Sequence, residues 1–346
     1  MKRLALYFTA PYRVTVQEEP LAPLAADQVM VQTLVSAISS GTELLFYRGQ
    51  APTDLAVDET IAALAGAVGF PLKYGYAAVG QVVAVGAQVA PEWQDQLVFS
   101  FHPHESHFLA GPSELMPVPP PVSPEEAAFL PNMETAVNLL MDGQPLIGEQ
   151  VVIFGQGVVG LLTTALLARL PLASLITLDR YPLRRETSIA LGAHASLDPA
   201  EPQALTRLHS LLQQGQQGAD LTYELSGNPA ALDQAIAATG FSGRVVIGSW
   251  YGQKRADVNL GGRFHRSRIR LISSQVSTLA PEWTGRWSKA RRLQVAWRML
   301  EQVRPAHLIT HRFPLTQAAQ AYAVLDQHAE EALQVILTYD GEVESG

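Results

Sequence analysis

Residues 151–179 constrain this chain more than any other stretch. Val151-Val152-Ile153-Phe154 is an apolar run of strand length. Gly155, Gly157 and Gly160 follow in G-x-G-x-x-G spacing, and an apolar helical pattern runs on toward Pro171. A second apolar stretch, 174–178, ends on Asp179, about twenty residues past the glycines. A glycine triplet alone says little. Strand, glycine turn, helix, second strand and terminal acid in this order read as a dinucleotide-binding unit. Gly155 allows the tight turn, Gly157 lets the backbone approach a pyrophosphate, and Gly160 lets the helix pack against its strand. The helix start aims its N–H groups at the anion. The candidate cofactor contacts are therefore Gly155, Gln156, Gly157, Val158, Val159 and Gly160. Asp179 is placed to accept the ribose hydroxyls, which favours NAD. Arg180 beside it, with Arg184 and Arg185, keeps NADP open.

From Val151 the pattern alternates strands (151–154, 174–178, 219–223, 244–248, 270–273) with helices, the mark of a doubly wound parallel sheet. Ligands gather at the C-terminal edge of such sheets, so Ser226, Gly227, Gly248 and Ser249 join the cofactor list. The first 120 residues instead read as short strands, at 4–8, 14–17, 29–37, 80–85 and 97–101. Residues 28–33 alternate with period two, which predicts one wet face. A helical patch is expected over 52–70, a capped helix start at Ser123-Pro124-Glu125-Glu126, and a basic helix over 288–303. Extended chain at 307–312, a helix at 316–327 and a strand at 334–338 close the pattern, with 341–346 frayed.

At 346 residues the chain has room for two cores, and with 47% apolar and only 16% charged residues it reads as globular. A net charge of −8 argues against a nucleic-acid partner. There are no cysteines, which removes disulfides, thiolate zinc sites and a cysteine nucleophile. No secretory h-region opens the chain and no uncharged run spans a membrane, so a cytoplasmic enzyme is expected.

The order of parts resembles the medium-chain dehydrogenase/reductase superfamily over essentially the whole chain. Ser40-Gly41-Thr42-Glu43 is similar to that superfamily's Cys-Gly-Thr-Asp turn, and Tyr74-Gly75-Tyr76-Ala77-Ala78-Val79-Gly80 to its Gly-His-Glu segment. Asn132-Met133-Glu134-Thr135-Ala136 falls where the domain-crossing helix should begin. The Ser-Gly-Thr-Glu turn is most like the branch containing bacteriochlorophyllide a dehydrogenase. The resemblance implies an α/β chain with a GroES-like β-rich catalytic domain (1–130 and 275–346) and a Rossmann domain (131–274). It also implies a homodimer or homotetramer acting on a small-molecule substrate.

Departures from the family pattern bear on the chemistry. Ser40 stands for the cysteine zinc ligand, Tyr76 for the histidine ligand and Ala77 for the acid beside it. A metal-free hydride transfer follows, in which hydroxyl donors polarise the carbonyl and pass the proton. Tyr76, Thr42 and Ser40 are the candidate donors, with Glu43 and Glu134 as orienters. The expected reaction interconverts an alcohol and a carbonyl by NAD(P)-dependent transfer without zinc, on a substrate that the resemblance allows to be bulky. Two other readings stay open: reduction of an activated C=C bond, and a dinucleotide-binding sensor or structural protein without turnover. His102-Pro103-His104-Glu105-Ser106-His107 offers metal ligation, substrate contact or a plain surface loop. Two basic clusters (Arg263, His265, Arg266, Arg268, Arg270 and Arg286, Lys289, Arg291, Arg292) read as an anion pocket or as a subunit contact and helix face.

Overall fold

The computed structural model describes residues 1–52, 54, 61–64, 66–212 and 218–339. The chain divides into two compact units, Met1–Pro131 with Arg304–Gly346, and Asn132–Val303. The second division falls at 303/304, not at the expected 274/275. The cause is the segment after 274. Its helix Lys289–Val303 carries Arg292, whose guanidinium bonds Glu134 and Asn138 of helix Leu130–Gly143, and Arg169 reaches the Gln302 carbonyl. Polar bonds to buried groups hold this segment with the nucleotide-type sheet.

That sheet has six parallel strands, in spatial order Ala195–Leu197, Ser174–Leu178, Gln150–Phe154, Ala219–Glu224, Thr239–Ile247 and Arg270–Ser273. Numbered along the chain this is 3-2-1-4-5-6, the doubly wound order. Both faces are covered. Val152, Phe154, Ile176, Leu178 and Val245 pack on one side, and Val151, Ile153, Leu175, Leu221 and Val246 on the other. Burial on two faces is why these strands read as unbroken apolar runs. Ala195–Leu197 was absent from the expected set; with three residues it has no readable period.

The other unit is built on a seven-stranded sheet. Its main path runs Ile309–Pro314, Gln334–Thr338, Val29–Ala37, Ala78–Val85, Leu97–Ser100 and Met116–Pro117, and His107–Ala110 also pairs with Val29–Ala37. The chain thus returns after the second unit to lay Gln334–Thr338 antiparallel to Val29–Ala37. The period-two pattern of 28–33 is realised, with Val29, Val31 and Thr33 fully buried and Met30 and Gln32 half-buried. Ser123 caps the short helix Pro124–Ala127 in a capping box with Glu126. Of the helical patch expected at 52–70, residues 53, 55–60 and 65 lie outside the described residues, and the remainder holds one 3-10 turn, Ala62–Leu64. The expected fraying of 341–346 also lies outside them. Among the described residues, no helix is long and apolar enough to cross a membrane.

The hairpin Lys2–Ala10/Arg13–Pro20 is tied to the sheet by charge. Arg3 bridges Glu19 and Glu105, each at 2.7 Å, Lys73 binds both carboxylates, and His102 reaches Glu105 at 3.0 Å. Burial works to raise the Glu19 carboxyl, but hydrogen bonds from Lys73, Tyr7 and Arg3 outweigh it and hold it at about 2. A depressed folded-state value stabilises the fold above the ordinary carboxylate range, and that contribution is lost as pH falls through the folded value. Glu19→Gln should therefore flatten the fall of unfolding free energy between about pH 5 and pH 2, read by urea unfolding. A wild-type pH slope unchanged in the variant would contradict the assignment.

Candidate active site

In the doubly wound unit, geometry requires two of the three glycines of the turn, Gly155 and Gly160. Gly155 has φ +93°, and a Cβ there would lie 2.5 Å from the Ser226 Cα. A Cβ on Gly160 would lie 2.1 Å from the Gly155 carbonyl oxygen. Gly157 differs: a Cβ would meet nothing within 4 Å. It is the N-cap of helix Val158–Leu167, and no side chain caps that end. Open space above an uncapped helix start is a cradle for an oxyanion. The residues present fit a dinucleotide's pyrophosphate.

Gln156 was expected among the cofactor contacts, but its side chain is fully buried and turned inward. Its Nε2 donates to the Gly155 carbonyl at 3.0 Å, and its Oε1 accepts from Thr164 Oγ1 at 2.9 Å. It props the turn from beneath. Its backbone N–H donates to Asp179 Oδ2 at 2.7 Å, so the terminal acid of the second strand is bonded to the glycine turn. Asp179 Oδ1 accepts from the Tyr181 N–H at 2.9 Å, and Arg185 Nη1 donates to the Asp179 carbonyl at 2.8 Å. Arg180 is exposed and lies over the Tyr181 ring. Val158 is buried and Val159 half-buried.

Glu224, which the sequence reading did not single out, organises the neighbouring turns. It is fully buried at the end of Ala219–Glu224 and accepts from the Ser226 N–H at 2.8 Å and the Tyr251 hydroxyl at 2.5 Å. Burial and that carboxylate push the Tyr251 phenol up. Gly227 N–H donates to Ser249 Oγ at 2.9 Å, and a Cβ on Gly248 would strike Leu225. Ser226, Gly227, Gly248 and Ser249 thus form one knot at the C-terminal edge of the sheet, where ligands bind in such folds.

In the β-rich unit, Ser40-Gly41-Thr42-Glu43 is not a free turn. It opens helix Ser40–Tyr47. Ser40 and Thr42 are half-buried on that first turn, and Glu43 is fully buried. Glu43 accepts from the Ser39 N–H at 2.8 Å and from the Tyr322 hydroxyl, and faces His104 Nε2 at 3.1 Å. His104 Nδ1 lies 2.6 Å from Ser36 Oγ, which in turn lies 2.7 Å from the Tyr339 hydroxyl. Burial and the Glu43 carboxylate hold the Tyr322 phenol well above its ordinary range. Enclosed in this way, Glu43 is a scaffold carboxylate. Tyr76, half-buried just before strand Ala78–Val85, donates its hydroxyl to Ser39 Oγ.

The histidine run does not converge on one point. His104 is sealed against Glu43, His102 stacks on Phe108 with centroids 4.0 Å apart and pairs with Glu105, and burial lowers His107. With His104 fully buried, the surface-loop reading fails for that residue. Glu134 belongs to the other unit, where Arg292 takes its carboxylate at 2.9 and 3.0 Å. Its expected part in orienting donors gives way to a structural ion pair. Arg292 is fully buried, so it leaves the exposed basic cluster as well.

The resemblance sets the cysteine and histidine zinc ligands of metal-binding dehydrogenases at Ser40 and Tyr76, with the neighbouring acid at Ala77. Those side chains offer two hydroxyls and a methyl where zinc takes thiolate, imidazole or carboxylate, and the Tyr76 hydroxyl is bonded to Ser39. This donor set does not fit zinc. Among the described residues, the one three-member group of suitable ligands is the exposed His328, Glu330 and Glu331.

Fold and turn together define a dinucleotide-binding α/β unit joined to a β-rich one. Residues 158–293 match the zinc-binding dehydrogenase family; none of positions 40, 76 and 77 lies in that stretch. YphC of Escherichia coli K12, an uncharacterized zinc-type alcohol dehydrogenase-like protein, is 29% identical over 223 residues, 64% of this chain and 60% of that protein. The 2-desacetyl-2-hydroxyethyl bacteriochlorophyllide A dehydrogenase of Cereibacter sphaeroides is 26% identical over 352 residues, 93% of this chain and 94% of that one. The alcohol dehydrogenase rspB of Escherichia coli CFT073, solved with NADH, superposes with a TM-score of 0.79 at 17% identity, covering 98% of this chain and 99% of that one. The chain is thus similar to dehydrogenases, in sequence over residues 158–293 and beyond, and in fold over nearly its whole length.

The Glu134–Arg292 pair carries its own test. Arg292→Leu leaves a carboxylate only 7% exposed without its cation. The variant should lose about 3–5 kcal/mol of unfolding free energy. A loss under about 1 kcal/mol, the size of an exposed pair, would contradict the structural role.

Proposed function

We propose that this chain is a zinc-independent, NAD(P)-dependent oxidoreductase that interconverts an alcohol and a carbonyl, with NAD preferred. The observation that carries the reading is the Tyr76–Ser39 hydroxyl pair, at a position that the resemblance aligns with a zinc ligand of metal-binding relatives. When bound, the nicotinamide supplies or accepts the hydride. The chain's own residues do the rest. Gly155, Gly157 and Gly160 shape the seat for the pyrophosphate, and the helix start at Val158 adds N–H donors. Asp179 keeps two carboxylate oxygens near the turn. Each already accepts one backbone N–H, and an ionised oxygen has capacity for a further donor such as a ribose hydroxyl. Its charge disfavours a 2′-phosphate there, and Arg180 and Arg184 offset part of that. In reduction, the Tyr76 hydroxyl gives its proton to the oxygen that gains charge; in oxidation it takes that proton back. Thr42 and Ser40 add hydroxyl donors on the same helix turn. The bacteriochlorophyllide dehydrogenase relative supports a bulky substrate.

Oxidation of NADH and NADPH across a panel of aldehydes and ketones tests the reading. Tyr76→Phe should lower kcat by about 10²- to 10⁴-fold with cofactor affinity unchanged. Asp179→Ala should narrow the NADH/NADPH affinity ratio, read by nicotinamide fluorescence. Turnover untouched by Tyr76→Phe removes the proton-donor role, and an unmoved affinity ratio removes the role given to Asp179.

A further inference from the structure

We propose that Ser39, a residue outside the Ser-Gly-Thr-Glu motif, is the positioning residue for the Tyr76 hydroxyl; this rests on the oxidoreductase reading above. Three observations carry it.

Ser39 is the N-cap of helix Ser40–Tyr47, yet its side chain makes no capping bond. The usual reason for serine at such a position is a hydroxyl accepting an N–H from the first turn. Here the Oγ accepts from Tyr76 instead. The serine therefore serves the tyrosine and not the helix.

The backbone of Ser39 is held from the buried side. Its N–H donates to Glu43 Oε1 at 2.8 Å, and Glu43 is itself fixed by Tyr322 and by His104 at 3.1 Å. A hydroxyl on a pinned backbone is a fixed point, whereas one on a free loop is not.

The tyrosine is held by the same histidine. His104 N–H lies 3.4 Å from the Tyr74 carbonyl, and its ring fills the space beside Gly75. A Cβ on Gly75 would come within 2.7 Å of the His104 Cδ2 and Nε2, and Gly75 has φ +120°. Glycine is required for the loop to close on the ring, and the next residue is Tyr76. His104 thus braces both partners of the hydroxyl pair, through Glu43 on one side and Gly75 on the other.

The chemistry balances without a metal. In reduction the carbonyl carbon gains a hydride from the reduced nicotinamide, and the carbonyl oxygen takes the Tyr76 proton. The donor C–H bond of the reduced nicotinamide, the C=O π bond and the Tyr76 O–H bond would break; a C–H and an O–H bond would form on the substrate, and the nicotinamide would be left oxidised by two electrons. The phenolate left on Tyr76 accepts a hydrogen bond from the Ser39 hydroxyl, which turns to donate, and water restores the proton. A donor to the phenolate favours the charged form of the tyrosine.

Ser39→Ala and Ser39→Thr test the role by two readouts. In protein labelled with [¹³Cζ]tyrosine and free of cofactor, the Tyr76 resonance, assigned with Tyr76→Phe, should titrate at higher pH in Ser39→Ala than in wild type. Ser39→Thr, which keeps the hydroxyl, should restore the wild-type midpoint. In the carbonyl-reduction assay Ser39→Ala should lower kcat about 10- to 100-fold with KM for NADH unchanged. A raised midpoint supports the Ser39–Tyr76 pairing even if no carbonyl turns over, an outcome that counts against the oxidoreductase reading alone. A Tyr76 titration that superposes on wild type in Ser39→Ala overturns the proposal, whatever the turnover.

Discussion

A carboxylate taken out of water must be paired or hydrogen-bonded, and much of the β-rich unit is arranged to meet that demand at Glu43. The groups that meet it come from separate stretches of chain: Ser39 at the start of helix Ser40–Tyr47, His104 in the loop before strand His107–Ala110, and Tyr322 in helix Ala318–Gln327. Ser36, in strand Val29–Ala37, and Tyr339, one residue past the strand Gln334–Thr338 that pairs with it, extend the network. Tyr322 and Tyr339 belong to the part of the chain that returns after residue 303. The network therefore fastens the returning segment to the first one. It does so at the residue that fixes Ser39, and through Ser39 the hydroxyl of Tyr76.

The doubly wound unit repeats the logic with Glu224. Its buried carboxylate gathers Ser226 and Tyr251, and the Ser226 backbone lies hard against Gly155. Asp179 is bonded to the same glycine turn through the Gln156 N–H. An acid at the end of each of the two strands that flank Gln150–Phe154 thus helps to set the shape of the turn that follows it. In both units the buried acid does not carry the chemistry assigned to the site; it fixes the backbone from which the working groups project.

Legibility in the sequence followed sequence distance. The glycine turn was readable because its parts lie within thirty residues and each has a local reason, which the contacts of Gly155 and Gly160 supply. The alternation of Val29–Ala37 was readable because one face is buried and period two survives in composition. The Glu43 network was not. Its contacts join residues 61 and 279 positions apart, and nothing near Tyr322 marks it. Ser39 was passed over because the motif begins one residue later and an N-cap serine has an ordinary explanation. Arg292 read as one of a basic cluster and Glu134 as an orienter of donors, because they lie 158 residues apart and only folding makes them a pair. The second unit boundary falls later than expected for the same reason: that pair, with the Arg292–Asn138 and Arg169–Gln302 bonds, attaches the segment after 274.

The proposed exchange of metal ligands for hydroxyls bears directly on what holds charge on the substrate oxygen. With zinc, a Lewis acid takes it up; in the reading proposed above, proton donation from Tyr76, with Thr42 and Ser40 beside it, does. Zinc content measured together with carbonyl-reductase turnover, before and after exhaustive chelation, separates the two. The account predicts protein without stoichiometric zinc whose turnover survives chelation undiminished. Turnover that is lost on chelation and regained with one zinc per chain would contradict it.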